Sequence, residues 1–159
     1  MAMIDKPDQA LYRFCYKEIY MTSENIQLSI PSHPKYLQLV RGIIKKATHI
    51  IGFSEDDSAY ITLAVDEACS NIIKHSYMND PGKKIDICIN AHEKELKIHI
   101  TDYGKQCNIT QMKSRDIDDI RPGGLGLYIM NKIMDSVEYD CSSTLKNQIR
   151  MVKRLVQSE

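Results

Sequence analysis

Apolar residues recur along the chain with two periods. Leu37, Val40, Ile43, Ile44, Ala47, Ile50 and Ile51 follow the 3.6-residue spacing of a helix with one apolar stripe. Pro31 and Pro34 punctuate its entry and Gly52 marks its stop, so the pattern predicts a helix over roughly 35–51. Ser54 followed by Glu55, Asp56 and Asp57 reads as an N-cap with acids in the first turn. That second helix is expected to run to about Tyr77, where Asn79-Asp80-Pro81-Gly82 forces a turn. The period then changes to two. Ile85, Ile87 and Ile89 alternate with Asp86, Cys88 and Asn90; Leu96, Ile98 and Ile100 alternate with Lys97, His99 and Thr101. His92-Glu93-Lys94-Glu95 lies between the two runs as a hairpin loop.

Residues 105–122 are polar and irregular, long for a plain connection, and read as a lid. Gly123-Gly124-Leu125-Gly126 opens a third helix, predicted to reach about Asp135. Val137, Tyr139 and Cys141 alternate as one further strand, Ile149 and Met151 as another. Glu24 to Ile30 is strand-like. Residues 1–23 stand apart as an N-terminal extension of unknown role. Within it Leu11 to Tyr20 fits a short helix or a strand equally, and Met21 is the expected natural start. The order is strand, two helices, two strands, helix, two strands. It predicts an α+β fold: a two-layer α/β sandwich whose mixed, mostly antiparallel sheet carries helices on one face. The folded domain is expected over 24–157.

Length and charge narrow the function. A chain of 159 residues, 43% hydrophobic and 26% charged, is expected to form one folded domain. Its 21 Lys and Arg balance 21 Asp and Glu, which gives no broad basic surface for a nucleic-acid backbone. No apolar run approaches the roughly 18–20 residues that cross a bilayer, and the N-terminus has no signal-peptide core. A cytoplasmic protein with neither a nucleic-acid nor a membrane partner is expected. Cys15, Cys69, Cys88, Cys107 and Cys141 show no zinc spacing and are expected to be separate reduced thiols.

Three features carry candidate chemistry. On the second helix, Glu67 and Asn71 are four apart, with Lys74 and His75 at seven and eight, which α-helical geometry places on one face. That face is either a solvated one, or a carboxylate base beside an amide oxygen able to ligate Mg²⁺. Asp102 and Gly104 end the third apolar strand. They form either an ordinary turn, or a carboxylate accepting from an adenine amino group with glycine letting the backbone pass close to the base. Arg121-Pro122-Gly123-Gly124-Leu125-Gly126-Leu127 is neither a P-loop nor a dinucleotide fingerprint. Its glycines give either a flexible helix entry, or amides converging on an anion at a helix N-terminus.

In this order and spacing, the three features resemble the Bergerat-type ATP-binding fold of histidine kinases, DNA gyrase, MutL-type repair proteins and heat-shock chaperones. Asp66 to Tyr77 and Gly123 to Met130 are similar to the bacterial anti-sigma-factor serine kinases of partner-switching systems, and the resemblance spans about residues 24–155. It implies an ATP- and Mg²⁺-dependent protein serine kinase. Glu67 would be the base for phosphoryl transfer, Asn71 the Mg²⁺ ligand, and Lys74 and His75 neighbours of the nucleotide. Asp102 and Gly104 would read adenine. Gly123, Gly124 and Gly126, with the amides of Leu125 and Leu127, would wrap the phosphates, and Arg121 would reach phosphate or partner. The implied partners are a serine-bearing anti-anti-sigma (STAS) protein and a sigma factor, with the kinase a homodimer.

The chain departs from that pattern in three places, the first being a lid that is short for the family. Lys146-Asn147 stands where relatives often carry Gly-Thr, and Lys105-Gln106-Cys107 follows Gly104 where an aromatic often does. These departures keep a second reading alive, an ATP-binding module that sequesters its partner without phosphorylating it. A third reading, the catalytic half of a histidine kinase, is disfavoured because about 23 residues precede the body, too few for a dimerisation hairpin.

Overall fold

A computed structural model describes residues 25–106 and 125–156. The N-terminal extension with Met21, most of the expected lid, Arg121, Gly123, Gly124, Cys15 and Cys107 lie outside the described residues.

β1 (Asn25–Pro31) leads through a short 3₁₀ turn (Pro34–Tyr36) into α1 (Leu37–Ile51), followed by α2 (Glu55–Asn71). A π-helical turn (Ile72–Ser76) extends α2. β2 (Lys84–His92) and β3 (Glu95–Asp102) form a hairpin, and α3 (Leu125–Ile133), β4 (Ser136–Asp140) and β5 (Asn147–Arg154) complete the described elements. The sheet order is β1-β2-β3-β5-β4, with every neighbouring pair antiparallel.

The two periods seen in the sequence meet in one core. Ile85, Ile87 and Ile89 of β2, Leu96, Ile98 and Ile100 of β3, and Ile149 and Met151 of β5 share one sheet face. Leu37, Val40, Ile44 and Ala47 of α1, Ile61, Ala64, Val65 and Ala68 of α2, and Met130 of α3 pack against it. Each isoleucine so removed from water contributes on the order of 1.5–3 kcal/mol. Gly52 ends α1 in the left-handed conformation, φ 98°, and its amide bonds back to the carbonyls of Thr48 and His49. Ser54 caps α2 by accepting from the Asp57 amide at 3.1 Å. A buried hydroxyl pair, Thr48 and Ser58 at 2.6 Å, joins the two helices.

Several expectations shift locally. Ile50, counted in the apolar stripe of α1, is 73% exposed, because it lies about a quarter-turn round the helix from the Val40, Ile44, Ala47 and Ile51 face that meets the core. His92 and Glu95 pair across the hairpin, which leaves only Glu93 and Lys94 as the turn, with Glu93 at φ 50°. α3 ends at Ile133 and β4 at Asp140, short of Asp135 and Cys141. The expectation of separate reduced thiols is also corrected. Cys69 and Cys88 are free and buried, but Cys141 is disulfide-bonded. Burial, with the charge of Asp66 adding to it, pushes the Cys69 thiol up to about 12, which makes it unreactive. No helix among the described residues is long and apolar enough to cross a membrane.

Candidate functional site

α2 presents Glu67 and Asn71 one turn apart, both half-buried. Neither side chain hydrogen-bonds to a described residue. Helical spacing relates these two, but it stops applying just beyond Asn71. The next turn widens to i→i+5 hydrogen bonding, with the Tyr77 amide on the Ile72 carbonyl at 2.9 Å. The chain then leaves through two left-handed residues, Met78 at φ 51° and Asn79 at φ 64°.

The wide turn carries Ser76 to the end of β3. Its carbonyl accepts from the Lys105 amide at 2.9 Å and its hydroxyl donates to Asp102 Oδ1. Gly104 is required at this contact for space. A Cβ there would land on the Ser76 hydroxyl and lie 2.5 Å from the Ser76 carbonyl oxygen, which cannot rotate away. Tyr77 fastens the same junction. Its buried hydroxyl donates to the Lys84 carbonyl at 2.5 Å and accepts from the Tyr103 amide at 2.8 Å. Burial pushes that phenol up to about 12, against the opposing pull of the Tyr103 amide, with Asp102 and Asp86 adding to the rise.

Asp102, 3% exposed, collects three donors on Oδ1: the Ser76 hydroxyl, the Gly104 amide at 3.0 Å, and the Asn147 side-chain amide at 2.9 Å. Beside it, Gln106 donates through Nε2 to the Cys141 and Ser143 carbonyls, each at 2.6 Å, and ties the β4–β5 loop to the exit of β3. Asp86, on the outer sheet face, belongs to a separate cluster. Burial works to raise its pKa, but hydrogen bonds from Ser29, Lys84 and Tyr103 and the Lys84 charge hold it below the usual carboxylate value.

Gly126, in the first described turn of α3, lies against the α2 face. A Cβ at Gly126 would sit 2.7 Å from Glu67 Oε2 and 3.2 Å from Asn71 Nδ2. The carboxylate, the amide and the helix-opening glycine are therefore in contact. Glu67, Asn71, Asp102, Gly104 and Gly126 all gather at one end of the sandwich, since Ser76, five residues past Asn71, touches Asp102. Lys74 and His75 are exposed in the π turn and make no described contact with the others. Leu127 packs half-buried against the core, and Leu125 is exposed.

The donor set suits a hard cation shared with phosphate. Asn71 offers an amide oxygen and Glu67 a carboxylate, both uncommitted among the described residues. Mg²⁺ takes few protein ligands and fills its shell with water and phosphate. Among the described residues no group of three or more His, Cys, Asp or Glu gathers as a self-sufficient metal site. Sequence reasoning missed Ser76, whose role arises from the π turn and has no local signal. It noticed Asn147 only as a departure; the pairing with Asp102 follows from strand register.

A helix-borne Glu and Asn facing a helix-opening glycine, with a buried Asp at the adjoining strand end, defines a class. Residues 30–153 match the histidine kinase-like ATPase domain, and the chain belongs to that family. Within it the chain stands with the RsbW-type serine-protein kinases. It is 31% identical over 123 residues to the serine-protein kinase RsbW of Bacillus mycoides (strain KBAB4), which covers 72% of this chain and 76% of that protein. It is 30% identical over 123 residues to RsbW of Halalkalibacterium halodurans, covering 72% and 75%. Among solved structures, the SiaB–SiaC complex from Pseudomonas aeruginosa superposes with a TM-score of 0.63 at 11% identity, over 91% of this chain and 98% of that one. The RsbU and RsbW domains of Rv1364c from Mycobacterium tuberculosis superpose with a TM-score of 0.61 at 15% identity, over 86% of this chain and 34% of that one. This chain thus spans about a third of the Rv1364c chain. At such identities the two structures speak to the fold alone.

Proposed function

We propose that this protein is an Mg²⁺- and ATP-dependent protein serine kinase that phosphorylates a STAS-type anti-anti-sigma partner. In the same proposal it sequesters a sigma factor, acting as a cytoplasmic homodimer in transcription regulation. The observation that carries it is the contact of Gly126 with both Glu67 and Asn71. It joins an anion-binding helix entry to a carboxylate and a cation-binding amide, the parts that phosphoryl transfer needs.

In this reading Asp102 accepts from the adenine amino group and Gly104 leaves room for the base. The amides around Gly123, Gly124, Leu125, Gly126 and Leu127 hold phosphate oxygens, with Arg121, Lys74 and His75 contributing from the rim. Asn71 and Glu67 border the place of the magnesium, which supplies charge neutralisation across the triphosphate. Glu67 takes the proton of the substrate serine hydroxyl. As it does so, the serine oxygen bonds to the γ-phosphorus and the bond from that phosphorus to the bridging oxygen breaks, leaving ADP.

Incubating the protein with labelled ATP and a STAS protein encoded beside it tests this reading. Phosphoserine on the partner, lost in Glu67→Ala, is the expected result. ATP-sensitive retention of the partner without phosphate transfer would instead identify a sequestering module, and full transfer by Glu67→Ala would remove Glu67 from the mechanism.

A further inference from the structure

Asn147 opens β5 and is buried. Antiparallel register sets it opposite Asp102, the last residue of β3. Its Nδ2 donates to two oxygens, Asp102 Oδ1 at 2.9 Å and the Lys105 carbonyl at 3.0 Å. Oδ1 also receives the Ser76 hydroxyl and the Gly104 amide. Donors from three separate segments (the π turn, the β3 exit and the start of β5) thus converge on one carboxylate oxygen, while no described residue donates to Oδ2. Rotating the carboxylate would break all three bonds, so the direction of Oδ2 is set by its neighbours.

An oxygen so fixed accepts and cannot donate. It complements a ligand edge that carries an N–H, such as the exocyclic amine of adenine, and opposes a carbonyl oxygen, such as that of guanine. We infer that Asn147 is the positioning residue for base selection, aiming Asp102 Oδ2 and binding the Lys105 backbone to the same carboxylate so that the two move as one wall. This rests on the nucleotide reading above. Asparagine suits this double bond, because one amide nitrogen carries two protons and serves both acceptors, whereas a hydroxyl carries one and serves a single acceptor.

Calorimetry of the full chain with Mg-ADP and with Mg-GDP tests the inference on wild type, Asn147→Leu and Asn147→Thr, with thermal unfolding followed in parallel. Asn147→Leu is expected to weaken ADP about tenfold, the worth of one hydrogen bond to a charged group, and to leave GDP nearly unchanged. The ADP-to-GDP preference then narrows about tenfold, and Asn147→Thr falls between Leu and wild type. Equal weakening of both nucleotides, or an unchanged preference in folded Asn147→Leu, overturns the inference. If Asn147→Leu shows no cooperative unfolding, Asn147→Thr decides, and a wild-type preference there overturns it. Wild-type protein that binds ADP and GDP equally overturns the inference alone. Wild-type protein that binds neither overturns the nucleotide reading beneath it.

Discussion

Replacing Gly126 by alanine separates folding from chemistry at this site. The added methyl would meet Glu67 Oε2 at 2.7 Å and Asn71 Nδ2 at 3.2 Å, against the 3.4 Å at which ordinary contact begins. The carboxylate oxygen must therefore retreat by about 0.7 Å, and the amide by about 0.2 Å. Both are ends of flexible side chains, so the strain relaxes at small cost. The backbone, meanwhile, gains. Alanine is favoured over glycine in a helix by up to about 1 kcal/mol, which for a chain of this size raises Tm by roughly 2–4 °C. Catalysis responds in the opposite direction, since a misplacement on the order of 1 Å at a reacting group costs about 100-fold in rate. Gly126→Ala is thus expected to melt at or above the wild-type temperature while single-turnover phosphate transfer to the STAS partner falls about 100-fold. A variant that transfers phosphate at the wild-type rate would show that α3 does not press on Glu67 in the working enzyme. A variant that loses several degrees of Tm would show that the collision is not relieved by side-chain movement.

Gly104→Ala should behave differently, because its new methyl meets the Ser76 backbone, 2.5 Å from the carbonyl oxygen; a loss of about 1–3 kcal/mol or more is expected from urea unfolding. Tyr77→Phe removes the hydroxyl shared by the Lys84 carbonyl and the Tyr103 amide, and should cost about 1–3 kcal/mol in the same assay. Asp86 has a folded pKa below its ordinary 3.8, so its contribution is present above that value and is lost as pH falls through the lower folded value. Asp86→Asn should therefore be less stable than wild type at neutral pH, and the gap should close in an acid titration below about pH 4 monitored by circular dichroism.

The local pattern was enough to read the elements. A stripe from Leu37 to Ala47 and alternation from Ile85 to Ile100 report burial on one face, and burial on one face is most of what a helix or a strand needs. Caps were equally legible, because Gly52 and Ser54 act on hydrogen bonds within a few residues of themselves. The Glu67–Asn71 pair, the Asp102–Gly104 turn and the glycine run could each be named in the same way. Each also had an ordinary explanation when taken alone.

Contacts between distant segments decided the rest. Ile50 stands outside the buried face while Ile51 packs inward, because a run of apolar residues does not state which edge of the stripe the sheet covers. Ser76 reached Asp102 only through a π turn, whose wider hydrogen bonding depends on what Tyr77 and Gly104 pack against. Asn147 looked like a lost family residue in the sequence, yet β3–β5 register sets it against Asp102. Residue types and their short-range spacing determined which chemistry this chain can hold. Only the packing of α2, α3 and the end of the sheet determined which of those groups touch, since a contact between segments tens of residues apart is set by the closure of the whole core.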